Sequence, residues 1–304
     1  MTEPLRVIID TDPGVDDAIA ILMAMAWPNL ELAGITTVGG NVTLARATRN
    51  ALALLEYGGR QQVPVAIGAA RPLRRRYSYS YNFHGRTGLS RRLPRPSGHV
   101  IDTNAVDFLG RKLQSHPGQY HLVALGPLTN LAQLIAEYPE ALSQSASIVV
   151  MGGAVNTAGN VTPHAEFNFY SDPVAAHKVM SSGIPLTLVD LGSSRRVFIT
   201  KEEVAGLKSA SLIGRLAVQI LRNWFRRDSN RLRFEFYDPL ALAVALRPRL
   251  ITTRKLTLRV ETADQVRMGQ SEVESNKGPV SVAERVDSKG FSTLFDDLFA
   301  LTRL

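Results

Sequence analysis

Four aspartates fall within eight residues near the start of this chain, in Asp10-Thr11-Asp12-Pro13-Gly14-Val15-Asp16-Asp17. The run that leads into them, Leu5-Arg6-Val7-Ile8-Ile9, is mostly apolar and β-branched, which predicts a buried strand. The run that follows, Ala18-Ile19-Ala20-Ile21-Leu22, predicts a helix whose first-turn acids suit the positive end of its dipole. Such a strand–turn–helix unit points to an α/β fold. Carboxylates crowded in this way repel one another unless a cation sits among them. Helix capping accounts for one Asp at a turn of this kind, not for four.

The same alternation continues along the chain. Strand-like Leu32–Val38 precedes helical Leu44–Tyr57, Val63–Ile67 precedes a loop, and Tyr120–Leu125 precedes helical Leu128–Tyr138. Ser147–Met151 follows, then helical Pro173–Ser181 and strand-like Leu186–Val189. Helical stretches are expected at 201–228 and 238–246, strands near 255–260 and 280–286, and a closing helix at 289–303. Strands that are apolar throughout and alternate with helices imply a parallel sheet covered on both faces. The expected fold is therefore one α/β domain over residues 1–304, with a mostly parallel central sheet flanked by helices. Two long loops, 70–100 and 152–171, interrupt the order. Both start where a strand should end, at the carboxyl edge where open α/β sheets bind ligands, so both are expected to be active-site loops.

Composition narrows the function. With 45% hydrophobic and 20% charged residues the chain reads as a soluble globular protein, neither disordered nor fibrous. It has no cysteine, which excludes disulfides and thiolate metal sites and fits a reducing cytosol. Met1-Thr2-Glu3-Pro4 lacks secretory character, and the longest strongly apolar stretch, Ala18–Trp27, is about half a membrane span. A cytoplasmic location without membrane attachment is expected. The net charge of +8 would suit a nucleic-acid partner, but the nine arginines between Tyr57 and Ile101, with no acidic residue among them, account for all of it. A nucleic-acid partner is not expected.

Carboxylates without Cys or a His pair indicate a hard cation, calcium or magnesium. The spacing is not that of an EF-hand, because the twelfth position counted from Asp10 is Ile21, and no Gly-x-Gly-x-x-Gly is present. Asp-Thr-Asp-Pro-Gly-x-Asp-Asp-Ala after a first strand resembles the opening of the inosine–uridine preferring nucleoside hydrolases. Further segments resemble that family in the same order: Thr36–Asn41, Phe83-His84-Gly85, Ala124–Asn130, Met151-Gly152-Gly153, Ala165–Asn168 and Asp238-Pro239.

The resemblance implies hydrolysis of the N-glycosidic bond of ribonucleosides, in a homodimer or homotetramer. It implies a Ca²⁺ ion held by Asp12, Asp17, Asp238 and the backbone carbonyl of Leu125, with Asp10 in support. Asp12 would be the general base toward the attacking water. Asp16 and Asn168 would take the 2′ and 3′ side of the ribose, Asn160 and Glu166 the 5′ hydroxyl. Asn41 would also bind the sugar, and Met151 would pack beneath it.

Two residues bear on the departing base. Many members of the family carry His before the last metal Asp, whereas this chain has Tyr237. Tyrosine is a poor proton donor at neutral pH, though its hydroxyl can give a hydrogen bond. An aromatic residue there is similar to the purine-preferring branch, so purine nucleosides are slightly favoured. His84 is the remaining candidate acid or base contact. The cation–aromatic segment Arg74–Phe83 is expected to be a flap beside the pocket. Two alternatives stand beside the hydrolase: a non-catalytic nucleoside- or RNA-binding protein on the same scaffold, and a magnesium-dependent phosphatase of the haloacid dehalogenase type.

Overall fold

A computed structural model describes residues 3–74 and 78–303. Arg75, Arg76 and Tyr77, in the expected flap, lie outside the described residues. The chain forms β1 (Leu5–Thr11), α1 (Val15–Ala26), β2 (Leu30–Thr37), α2 (Leu44–Tyr57) and β3 (Val65–Ile67). A short helix α3 (Tyr81–His84) sits in the first long loop, followed by α4 (Ala105–Ser115), β4 (Tyr120–Ala124) and α5 (Thr129–Glu137). Next come β5 (Ser147–Met151), α6 (Phe167–Ser171), α7 (Pro173–Met180), β6 (Leu186–Val189) and α8 (Leu191–Ser194). The segments β7 (Phe198–Thr200), α9 (Lys201–Gly206), β8 (Leu207–Ser209), α10 (Leu212–Arg226) and β9 (Arg233–Glu235) lead to α11 (Tyr237–Leu246). The chain closes with β10 (Ile251–Val260), β11 (Ser271–Val286), α12 (Ser288–Leu298) and β12 (Leu301–Arg303).

Eight strands form one sheet in the order β10-β11-β6-β5-β4-β1-β2-β3. All neighbours are parallel except β10 and β11, which pair antiparallel at one edge. The expected architecture, a single α/β domain with a mostly parallel sheet flanked by helices, is the one found. Alternate side chains explain why: Val7 and Ile9 of β1 enter one apolar core, and Ile8 enters the other. Ile148 and Val150 of β5 divide from Val149 and Met151 in the same way. A strand buried on both faces must be apolar at every position, which is how these runs read. Helix α1 has no exposed face, with Ile19 to Met23 fully buried, and it packs against α10 and α11.

Two local expectations are corrected, and one helix had no counterpart among them. The helix expected over 201–228 is broken, because Leu207–Ser209 forms a strand paired antiparallel with Leu301–Arg303. That same pairing ends the last helix at Leu298 instead of 303. Helix α4 was not foreseen, although Asn104 caps it by accepting the backbone N–H of Asp107 at 2.9 Å. Among the described residues no helix is long and apolar enough to cross a membrane.

Candidate active site

Within the sheet the strand order β3-β2-β1-β4-β5-β6 runs outward in opposite directions from β1 and β4, and the crevice opens between these two, at the carboxyl ends of the strands. Asp10 lies near the end of β1 and Asp12 just beyond it, Leu125 follows β4, and Met151 is the last residue of β5. A cavity of about 260 Å³ at this edge is lined by Asp16, Asn41, His84, Leu125, Met151, Asn160, Glu166, Asn168, Tyr237 and Asp238. Ser80, Phe83, Val161 and Phe167 complete its wall. Both long loops therefore reach the crevice.

Below the cavity lie the carboxylates. One oxygen each from Asp16, Asp17 and Asp238 falls within 4.8 Å of the others, all from buried residues. The Oδ1 atom of Asp16 is buried with no hydrogen-bond partner. Burial, then the charge of Asp17, pushes Asp16 up to about 8. Burial, then Asp16, Asp17 and Asp12, pushes Asp238 well above the usual carboxylate range. Three carboxylate oxygens this close together, with an unsatisfied oxygen on one of the three residues, fit a hard divalent cation, and their repulsion is what such an ion would relieve. Asp16, expected only on the sugar side, is part of this triad. Asp12, expected among the ligands, is not, although its charge reaches Asp238.

Asp12 is held tightly. Its carboxylate accepts the backbone N–H of Asn41 and, at 3.3 Å, the Asn41 side-chain amide. Burial first and Asp17 second raise its pKa well above the ordinary value. It lies in a slot between two glycines: a Cβ at Gly40 would come 2.0 Å from Oδ2, and one at Gly126 2.8 Å from Oδ1. Asp17 accepts from the Thr11 hydroxyl and from Gly14 N (2.9 Å), which ties it to the N-terminus of α1. Asn41 reaches it as well, at 3.1 Å. Asn41 is thus a brace for two carboxylates as well as part of the cavity wall. Asp10, behind them, accepts from Thr36 (2.6 Å) and Asn130 (2.7 Å), and burial pushes it up to about 6.

The second loop supplies the opposite wall. Glu166 caps α6, accepting the N–H groups of Asn168 (2.8 Å), Phe169 (3.1 Å) and Gly153 (3.0 Å), and burial pushes it up to about 7. Asn168 donates to the Leu125 carbonyl at 2.7 Å and to that of Met151 at 3.3 Å. Asn160, exposed and on the cavity wall, accepts from Phe167 N at 3.0 Å.

His84 and Tyr237 close the mouth. Buried His84 accepts the Val15 N–H at Nδ1 (3.0 Å), so its proton resides on Nε2. Burial, with Arg231 and Arg227 nearby, pushes it down to about 3, so its 3.7 Å approach to Asp16 is not a charged pair. A neutral His84 can give a hydrogen bond but is not an imidazolium acid. The hydroxyl of Tyr237 donates to Glu235, and burial raises it far beyond neutrality. Its ring, not its proton, is what faces the cavity chemistry.

Several supporting residues escaped the sequence reading. Thr36 and Asn130 sit in segments that resemble the family, yet their bonds to Asp10 depend on strands far apart in the chain. Gly40 and Gly126 gave no local sign that they flank Asp12.

The profile of the inosine-uridine preferring nucleoside hydrolases matches residues 7–293. Uridine nucleosidase 1 of Arabidopsis thaliana is 38% identical over 303 residues, covering 94% of this chain and 90% of that one. The pyrimidine-specific ribonucleoside hydrolase RihA of Citrobacter koseri is 36% identical, with 97% and 98% covered. A solved structure, the purine-preferring ribonucleoside hydrolase from Gardnerella vaginalis, superposes with a TM-score of 0.90 at 28% identity, covering 97% and 98%.

Proposed function

We propose that this chain, which belongs to the inosine-uridine preferring nucleoside hydrolase family, releases the base from pyrimidine ribonucleosides, uridine foremost, with Ca²⁺ held by its buried carboxylates. Membership sets aside the phosphatase alternative and makes a purely non-catalytic role the weaker reading. The observation that carries the proposal is the Asp16–Asp17–Asp238 triad with its unpartnered oxygen at the floor of the cavity. Asp12 and the carbonyl of Leu125 would complete the ligand set. A cation held there would supply the positive charge that orients the ribose diol and acidifies a water. Calcium over magnesium is supported by the number of oxygens gathered from separate strand ends, which a larger, more permissive ion accepts.

The protein's own groups do the rest. Asp12, oriented by both N–H groups of Asn41, takes the proton of the water that attacks the anomeric carbon. The remaining carboxylates stabilise the oxocarbenium-like charge that develops on the sugar. Asp16 and Asn168 hold the 2′ and 3′ hydroxyls, Asn160 and Glu166 the 5′ hydroxyl, with Met151 under the ring. Neutral His84 donates a hydrogen bond from Nε2 to the departing base, and the Tyr237 ring covers it.

Base preference follows the relatives and not the single aromatic position. Relatives named for uridine or pyrimidine stand at 36–39% identity, and the purine-preferring structure stands at 28%. The slight lean toward purines drawn from Tyr237 is therefore replaced. A homodimer or homotetramer in the cytoplasm completes the proposal; family membership supports the first, and the cysteine-free composition supports the second. Ribose release from uridine, cytidine, inosine and adenosine, with and without a calcium chelator, tests it. Uridine should be cleaved fastest and only with metal; inosine exceeding uridine would reverse the preference, and chelator-resistant turnover would remove the ion.

A further inference from the structure

Two arginines of the basic segment and two from the first turns of α2 line a second cavity, of about 590 Å³, apart from the active-site crevice. Its lining is Thr43, Ala45, Arg46, Arg49, Thr87, Arg92 and Arg95, with four guanidinium groups and no acidic side chain. None of the four forms an ion pair among the described residues, although arginines elsewhere in the chain do. Two of them are positioned by neutral carbonyls. Arg46 donates to the carbonyl of Arg86 at 2.6 Å, and Arg49 donates to that of Leu93 at 3.2 Å. Arg92 and Arg95 are exposed and have no hydrogen bond among the described residues. Four like charges around one cavity raise the energy of the folded state unless an anion joins them.

We propose that this cavity is a binding site for a phosphate-bearing anion, either inorganic phosphate or a nucleoside 5′-phosphate. The guanidinium fork matches the paired oxygens of a phosphate, and a group with two negative charges offsets more of the repulsion than a carboxylate does. Arg46 and Arg49, held from behind by their carbonyl bonds, form a fixed floor. Arg92 and Arg95 line the same cavity from the loop. The floor is also connected to the catalytic loop. Asn50, next to Arg49, donates to the carbonyls of Pro13 (3.0 Å) and Thr87 (2.9 Å).

Titration calorimetry on the full chain tests the site without reference to turnover. Inorganic phosphate and uridine 5′-monophosphate are titrated separately, before and after dialysis against a chelator, so that binding at the carboxylates is distinguished. Saturable one-to-one binding that survives the chelator, and weakens at least tenfold in the double variant Arg92→Ser/Arg95→Ser, is the expected result. Affinity for both ligands places the site on the phosphate alone, and affinity for the nucleotide only places part of it on the base and sugar. Arg46→Gln gives a second reading should the loop variant unfold. Equal affinity in variant and parent overturns the proposal. So does binding of single-stranded RNA when neither small phosphate binds, or a dimer in sedimentation that the double variant dissociates.

Discussion

The hydroxyl of Tyr237 donates to the carboxylate of Glu235, which also takes the guanidinium of Arg233 at 2.7 Å. The three residues lie at alternate positions where β9 runs into α11, so each reaches the next on one face. This chain of contacts uses the tyrosine's only proton and fixes its ring at the cavity wall. Tyr237→Phe keeps the ring, so kcat/KM for uridine should fall less than about threefold. Tyr237→Ala removes an aromatic contact worth roughly 0.5–1.5 kcal/mol beyond its area, and about a tenfold fall is expected. Equal losses in the two variants would show that the hydroxyl itself acts on the base.

Asp12→Asn keeps the shape but abolishes the proton acceptor. A kcat lower by roughly 10²–10⁴-fold, with the melting temperature little changed, is the expected outcome. A variant whose KM rises while kcat stands would place Asp12 in binding alone.

Gly40→Ala puts a methyl group 2.0 Å from Asp12 Oδ2 and 2.7 Å from Pro127. Overpacking of this kind costs about 1–3 kcal/mol, and it displaces the base as well. Thermal unfolding and uridine turnover should both decline. An active variant of parental stability would mean that the slot around Asp12 is loose.

Metal removal should act on stability and not only on rate. Ligand binding to the folded state adds about 2.7 kcal/mol at a hundred times the dissociation constant. Calcium added to chelated protein should therefore raise the melting temperature, and Asp238→Asn should blunt the rise. A rise unchanged in that variant would locate the ion elsewhere.

His121, half-buried on β4 with Nδ1 2.8 Å from the Ser147 hydroxyl, has its pKa lowered from 6.5 by burial. The folded state thus favours the neutral ring, and the unfolded chain binds the proton more readily. The stability this contributes is present above pH 6.5 and is lost as pH falls from 6.5 toward the folded value. His121→Gln should lose less stability than the parent between pH 7 and 5. Parallel melting curves for the two proteins across that range would exclude the effect.

Local sequence determined more of this protein than its length suggests. The strands Ser147–Met151 and Leu186–Val189 were legible to the residue, because a strand buried on both faces needs an unbroken apolar run and is bounded where that run stops. The crowding of Asp10, Asp12, Asp16 and Asp17 also pointed to a cluster that could hold a cation, since charge repulsion within eight residues is a local fact. What only the folded chain decided were the relations between distant segments. The pairing of Leu207–Ser209 with Leu301–Arg303 cut two expected helices short, and no nearby residue signals it. The fold also set which aspartates share the triad, gave Asp12 its two glycine walls, kept His84 neutral and turned the Tyr237 hydroxyl to Glu235. Burial and approach across strands set those properties, and neither is encoded in the spacing of residues along the chain.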